Sequence, residues 1–305
     1  MPVYAVIDVG TNSVKFHVGE RRADGNWRTL VDRAEVTRLG EGLRETGAIA
    51  PAAIERTVAA IADMADEARR HEAAALVAVG TMGMRAASNS DAFVALVRER
   101  TGIAIEVIPG AEEGRLAYLA VKSGVGLGEG RLAIFDTGGG STQFTFGHGA
   151  AVDEQFSLDI GAVRLTEQYG LGTAIARDAL QRALDAIGAE FSRIDGVPAP
   201  DALVGMGGAI TNMTAVMHGL TTYDPDVVQG SVLTRAEVDR QIELYRSRDV
   251  EGRRQVAGLQ PKRADVILAG ACVVRTVLGK LGKEALTVSD RGLRHGLLVD
   301  RFGTA

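Results

Sequence analysis

The sequence predicts an α/β protein made of two domains of similar design. Three observations predict it. Apolar strand-like runs alternate with helical stretches along the chain. The run Tyr4-Ala-Val-Ile-Asp8, with the polar turn Gly10-Thr-Asn-Ser13, returns as Leu132-Ala-Ile-Phe-Asp136 with Gly138-Gly-Gly-Ser141. Val79-Gly-Thr-Met-Gly83 is echoed by Val204-Gly-Met-Gly-Gly208 at nearly the same offset. Chance easily produces one such match; two in the same order indicate an internal repeat.

Taken in order, Tyr4 to Asp8 is a strand and Gly10 to Ser13 a turn. Val14, Phe16 and Val18 then alternate with Lys15 and His17 in a second strand. A third strand lies between Trp27 and Leu39. Pro51 to Arg70 is a helix with Ile54, Val58, Ile61, Met64 and Ala65 on one face. Ala74–Val79 is a buried strand, Asp91–Arg100 a helix and Ile103–Ile108 a strand. Ala111–Ser123 is a helix opened by two glutamates, where the helix dipole favours negative charge. The glycine-punctuated stretch Gly124 to Gly130 marks a boundary, giving domains 1–124 and 125–305, the last helix packing back on the first. In the second half, Leu132–Asp136 is a strand, and Phe144 and Phe146 alternate with Gln143 and Thr145. Helices follow at Ala162–Tyr169 and Ala176–Ile194, then a strand at Ala202–Met206 and a helix at Ala209–Met217. Arg235–Arg246, Ala264–Leu281 and Arg291–Phe302 are helical, with a strand at Leu286–Val288.

Composition narrows the function. The 305 residues carry 34 Lys+Arg, 39 Asp+Glu and a net charge of -5, which argues against general nucleic-acid coating. Hydrophobic residues make up 46% and charged residues 24%, enough for a core in each half. The single cysteine, Cys272, allows no disulfide framework and no cysteine zinc site. It stands among small residues on a helix and is expected to be buried. The five histidines show no close metal-ligand pair. Neither a nucleophile elbow nor a Walker loop occurs. The N-terminus lacks a basic leader region, and the uncharged stretch from Ala202 to Tyr223 is broken by glycines and threonines. The expected location is the cytoplasm, with no membrane partner.

The two acid-plus-glycine turns carry the chemistry. Glycine lets the backbone approach an oxyanion and aim N–H groups at it. Gly10, Thr11, Asn12 and Ser13 form the first loop; Gly138, Gly139, Gly140, Ser141 and Thr142 form the second. Gly207 and Gly208 belong with them, and Lys15 adds a positive charge beside the first. Asp8 and Asp136, each at a strand end, suit Mg²⁺, which phosphate substrates need. Arg85 follows a glycine-containing turn; it is either a surface arginine or a bidentate phosphate ligand. Glu112 and Glu113 either serve the helix dipole or supply a carboxylate that accepts a proton from an attacking water. Arg246, Arg248, Arg253, Arg254, Lys262 and Arg263 form a basic cluster that is either a solvated surface or a guide for a polyanion.

These motifs together resemble the exopolyphosphatase/guanosine pentaphosphate phosphatase (Ppx/GppA) family of the actin-like, sugar-kinase-like ATPase superfamily. The resemblance covers the whole chain. It rests on Asp8-Val-Gly-Thr-Asn-Ser13, Thr81-Met-Gly-Met-Arg85 with Asn89, and Ile108-Pro-Gly-Ala-Glu-Glu-Gly-Arg115. It continues through Asp136-Thr-Gly-Gly-Gly-Ser141, Leu158 to Thr166, Val204 to Gly208 with Asn212, Arg263 to Gly270 and Ser289 to Gly296. It implies two actin-like (ribonuclease H-like) domains flanking a cleft, and hydrolysis of the terminal phosphate of inorganic polyphosphate. Mg²⁺, with Mn²⁺ as the substitute, is the implied cofactor. Asp8 and Asp136 would recruit the metal, the glycine loops and Arg85 would hold phosphates, and Glu113 would be the general base. The resemblance also implies a homodimer. The chain resembles the short form, without the extra C-terminal helical domain, which implies a preference for short chains. One position departs from the pattern: Gln143 stands where the family has a glutamate that holds metal or orients water. An amide keeps an acceptor oxygen and loses the charge. The competing readings are therefore a guanosine pentaphosphate hydrolase and a weakly active or non-catalytic polyphosphate or alarmone sensor. A sugar or acetate kinase shares the superfamily but lacks the Arg85 and Glu112-Glu113 motifs.

Overall fold

The computed structural model describes residues 1–11, 13–125, 130–149 and 151–303. Along the chain run β1 (Val3–Val9), β2 (Val14–Arg21), β3 (Trp27–Glu35), α1 (Leu43–Thr46), α2 (Pro51–Arg70), β4 (Ala75–Gly80), α3 (Met82–Ala86), α4 (Ser90–Thr101), β5 (Ile105–Val107) and α5 (Gly110–Val125). Next come β6 (Arg131–Thr137), β7 (Thr142–His148), β8 (Ala151–Leu158), α6 (Ala162–Tyr169), α7 (Arg177–Glu190), β9 (Ala202–Met206) and α8 (Gly208–His218). The chain ends with α9 (Pro225–Val228), β10 (Val232–Thr234), α10 (Arg235–Arg246), α11 (Val250–Arg254), α12 (Ile267–Lys280), β11 (Ala285–Val288) and α13 (Leu293–Phe302). Residues group into two compact units: Met1–Ala120 with Gly292–Ala305, and Val121–Arg291. The division falls inside α5.

Unit 1 is a five-stranded sheet in the order β3-β2-β1-β4-β5. β1 is central, and its two faces feed different cores. Ala5, Ile7 and Val9 join Phe16, Ile61 and Met64 on the α2 side. Val6 joins Val79, Leu116, Leu297 and Leu298 on the other. A strand buried on both faces is apolar throughout, so the charge at Asp8 marks the strand's end and not its middle. α2 forms because Pro51 sits in its first turn and an apolar stripe, from Ala53 through Ile61 to Ala68, meets the sheet.

The last helix returns to this unit. Gly296 lets α13 lie against α5: a Cβ there would stand 1.8 Å from the Leu116 carbonyl oxygen. Tyr4 and Phe302 stack at 4.3 Å. Arg294 grips Asp32 of β3 through both nitrogens, at 2.7 and 3.0 Å.

Unit 2 repeats the plan. Its six-stranded sheet runs β8-β7-β6-β9-β11-β10, so the first five strands match unit 1 position for position. Gly10 N–H donates to the Ser13 carbonyl at 3.1 Å, and Gly138 N–H donates to the Ser141 carbonyl at 2.9 Å. The register opposes Asp8 to Lys15 and Asp136 to Gln143. The core of unit 2 packs α12, with Cys272 fully buried, against the sheet. Burial pushes the Cys272 thiol up to about 12, so it is an inert core group.

The sequence reading missed several elements. β8 buries only Phe156 and presents Asp153 and Glu154, so it has no apolar alternation to find. α1, α3, α9, β10 and α11 are too short for periodicity. The helix expected over 176–194 ends at Glu190 and continues as a 3₁₀ turn at Ser192–Ile194. Among the described residues, no helix is long and apolar enough to cross a membrane.

Candidate active site

In unit 1 the candidate residues gather at the end of β1. Asp8 is nearly buried, and its Oδ2 lies 3.5 Å from the Lys15 ammonium across the hairpin. Thr11 is wedged: a Cβ at Gly83 would stand 2.8 Å from its hydroxyl, and one at Gly40 would stand 2.2 Å from its methyl. The two glycines thus bring the first loop against α3. Arg85, on α3, donates through Nη1 to the Ile108 carbonyl at 2.7 Å and through Nη2 to Glu113 Oε2 at 3.0 Å. Asn12 lies outside the described residues.

The two glutamates, of which the resemblance singles out Glu113, face different partners. Glu112 binds Arg115 at 2.8 and 2.7 Å, and Arg115 also reaches Asp300 of α13 at 2.6 Å. Arg115 holds the Glu112 carboxyl below the ordinary carboxylate value. Glu112 therefore ties α5 to α13. Glu113 instead points at Arg85. Burial pushes its carboxyl up; Arg85 and, more weakly, Lys15 oppose this, while Asp8 adds to it. A raised carboxylate within hydrogen-bond reach of a guanidinium has the profile of a proton acceptor at an anion site.

Unit 2 holds the second glycine loop. The Gly138 and Gly139 carbonyls accept the first N–H groups of α6, from Ala162 and Val163, at 2.9 Å each. Those oxygens would repel a phosphate, and α6 occupies them. Gly140 has open space where a Cβ would be. Gly207 is required twice over: its φ is +100°, and a Cβ would stand 2.6 Å from Asp136 Oδ1. The Gln143 amide is hydrogen-bonded to the Ser141 hydroxyl at 2.7 Å. Thr142 departs from expectation. It is fully buried, and its hydroxyl donates to the Ile160 carbonyl at 2.6 Å. It is a core residue, because the residue after the loop already belongs to β7 and points inward.

The basic cluster is not one feature. Arg253 is fully buried and donates to the carbonyls of Tyr245, Leu171, Ala264 and Thr173. Arg246 and Arg254 pair with Glu243 and Glu251. Arg263 is the member that reaches the site: a Cβ at Gly208 would stand 2.5 Å from its guanidinium. Asn212 holds this arrangement, donating to the Gly208 carbonyl at 2.8 Å and accepting the Gln260 N–H at 2.9 Å. The glycine pair before α8 was the signal for a large neighbour; its identity was not legible from linear sequence.

Folding also brings together two histidines that are far apart in sequence. His17, Asp32 and His295 have metal-ligand proximity. His295 and Asp32 are committed elsewhere, while His17 Nδ1 is buried 3.6 Å from Asp32 without a hydrogen bond. Gly292 N–H donates to His295 Nδ1 at 3.1 Å, so the proton sits on Nε2 and faces Asp32. A ligating histidine donates through its far nitrogen, which this backbone contact forbids. Burial pushes His295 down to about 3, and Asp32 is held far below the carboxylate range by His17, His295 and Arg294. The cluster is a clasp for α13.

Comparison with known proteins bears on this geometry. A model of the Ppx/GppA phosphatase family matches residues 20–305. Exopolyphosphatase 2 of Mycobacterium tuberculosis is 31% identical over 322 residues, spanning 98% of each chain. The guanosine-5'-triphosphate,3'-diphosphate pyrophosphatase of Photobacterium profundum is 28% identical over 308 residues, spanning 98% of this chain and 59% of that one. The crystal structure of the Aquifex aeolicus Ppx/GppA phosphatase, type II variant, superposes with a TM-score of 0.91 at 33% identity, covering 99% of this chain and 100% of that one.

Proposed function

Since the chain belongs to the Ppx/GppA phosphatase family, with its actin-like α/β fold, we propose that it releases the terminal phosphate of inorganic polyphosphate. The family makes it a phosphoanhydride hydrolase. Glu113 carries the hydrolase reading: a half-buried carboxylate beside Arg85, at the start of α5 and within the field of Asp8 and Lys15. Water attacks the terminal phosphorus, a new P–O bond forms, and the bridging P–O bond breaks. The water's proton passes to Glu113. The products are orthophosphate and a chain one unit shorter. Arg85, Lys15, Thr11 and Ser13 supply charge and hydrogen bonds in unit 1. Gly139 to Ser141, Gly207, Gly208 and Arg263 supply them in unit 2, while the Gly138 N–H is spent on closing the turn.

The donor set fits a hard cation. Asp136, lodged against Gly207, stands opposite Gln143, so carboxylate and amide oxygens share one strand pair. Mg²⁺ held by Asp136 would neutralise the charge that develops on the phosphates in unit 2; Asp8 is the matching carboxylate of unit 1. Mn²⁺ suits the same oxygens.

A second reading has one observation behind it. Gln143 removes a carboxylate and hydrogen-bonds Ser141, which suits a slow enzyme or a polyphosphate- or alarmone-binding sensor. Phosphate release from short and long polyphosphates, with guanosine pentaphosphate alongside and Mg²⁺ varied, separates these. Release from polyphosphate supports the hydrolase. Faster release from guanosine pentaphosphate reassigns the substrate. Tight binding with no release at any Mg²⁺ concentration supports the sensor.

A further inference from the structure

The proposed base and the proposed phosphate ligand are bonded to each other. Arg85 Nη2 lies 3.0 Å from Glu113 Oε2, and both side chains are about one-third exposed. A phosphate oxygen that takes the Nη2 side of the guanidinium meets the Glu113 carboxylate already there. Nη1 already gives one N–H to the Ile108 carbonyl at 2.7 Å. That bond anchors Arg85 whichever anion it holds, so the guanidinium can exchange partners without leaving its place. The neighbouring charges are balanced in the same manner, with Lys15 paired to Asp8.

We propose that the Arg85–Glu113 ion pair is a lock on the base, opened when a substrate phosphate takes the Nη2 face of Arg85. In the resting protein Glu113 is neutralised by its partner and turned toward it. Once a dianionic phosphate claims the guanidinium, Glu113 loses its counter-ion and becomes a stronger proton acceptor beside the incoming water. The inference rests on the hydrolase reading and deepens it. It explains why a base would be built against a cation that weakens it: the carboxylate is released only when substrate is present.

Competition has a thermodynamic consequence. If Glu113 must be displaced, removing its charge makes anion binding tighter. A partly exposed ion pair is worth up to about 1 kcal/mol, so Glu113→Gln is expected to tighten binding by about three- to five-fold. Simple repulsion between Glu113 and the ligand would also tighten binding, so a double-mutant cycle is needed. The probe is methylenediphosphonate, whose bridging carbon cannot be hydrolysed, titrated calorimetrically with Mg²⁺ into wild type, Glu113→Gln, Arg85→Ala and the double variant. The lock predicts tightening on Glu113→Gln in the wild-type background and a change within about two-fold in the Arg85→Ala background. Equal tightening in both backgrounds, or none in the first, overturns the lock. Arg85→Lys keeps a donor for Ile108 and serves if Arg85→Ala does not fold; there too the tightening shrinks. Polyphosphate hydrolysis by the same wild-type preparation separates the two failures. Binding and hydrolysis without the cycle's asymmetry removes only the lock. No binding by any variant, with no hydrolysis, removes the lock and the hydrolase reading together.

Discussion

At the scale of single residues, the proposed chemistry turns on Glu113 and Gln143. Glu113→Gln is expected to lower kcat by roughly 10²–10⁴, the usual worth of a general base, while the protein still binds phosphate chains. Glu112→Gln is the control, because Glu112 shares the helix end but is spent on Arg115. Steady-state rates of the two variants check this; near-normal turnover in Glu113→Gln removes it from the role. The pH profile gives an independent reading. Burial raises the Glu113 carboxyl, and a base must be ionised to act, so the acid limb of kcat/KM lies above the ordinary carboxylate value. Arg85 opposes that rise, so Arg85→Ala moves the limb further toward neutral pH. Gln143→Glu is expected to lower the Mg²⁺ needed for half-maximal rate and to raise turnover, because it restores a carboxylate opposite Asp136. A Mg²⁺ titration at saturating polyphosphate checks it; a slower variant means that the amide is adapted to its neighbours. Both positions were legible in sequence. The resemblance picked Glu113 over Glu112, but the partner of each was not legible, since adjacent helix residues diverge by about 100° and only the packed structure shows what each meets.

The elements hold these residues still, and two of their fastenings are testable. α13 is clasped to β2 and β3 through Arg294, His295, Asp32 and His17. His295 has a folded value near 3 against 6.5 as a free side chain. A depressed value means that the neutral form belongs to the fold. Its contribution is complete above about pH 6.5 and is lost as pH falls toward 3. Asp32, also depressed, adds a loss below its own ordinary value. The thermal midpoint of wild type is therefore expected to fall between pH 6.5 and 4.5, and His295→Asn to flatten that part of the curve. An unchanged slope would remove His295 as its source. In unit 2, Arg253→Met is expected to cost on the order of 3–5 kcal/mol, read by denaturant unfolding, because it orphans buried carbonyls. Nothing in the sequence distinguished Arg253 from its exposed neighbours. Long elements were plain, α2 from its apolar stripe and α12 from an apolar run buried nearly throughout. β8 was not, because an edge strand that buries one residue leaves no pattern.

At the scale of the whole molecule, the duplication organises everything else. Both units place an acid at the end of a central strand, close the following turn with the same glycine-to-serine hydrogen bond, and run a parallel strand beside it. Two short sequence echoes sufficed to see this, because turn chemistry and strand ends are local properties. What the echoes hid is how the copies diverged. Lys15 and Gln143 hold the same register position, one a cation paired to its aspartate and the other an amide turned to Ser141. One copy carries Glu113, the proposed base, on α5; the other carries Arg263, brought to Gly208 by Asn212. Divergence of this kind lies in contacts between distant segments, which no local pattern records. The most direct test of the central claim is orthophosphate release from inorganic polyphosphate by the full chain, measured against Mg²⁺ concentration for wild type and Glu113→Gln side by side. The account predicts Mg²⁺-dependent release by wild type and a loss of roughly 10²-fold or more in the variant. Absence of release by wild type at every Mg²⁺ concentration, or equal release by both proteins, would contradict it.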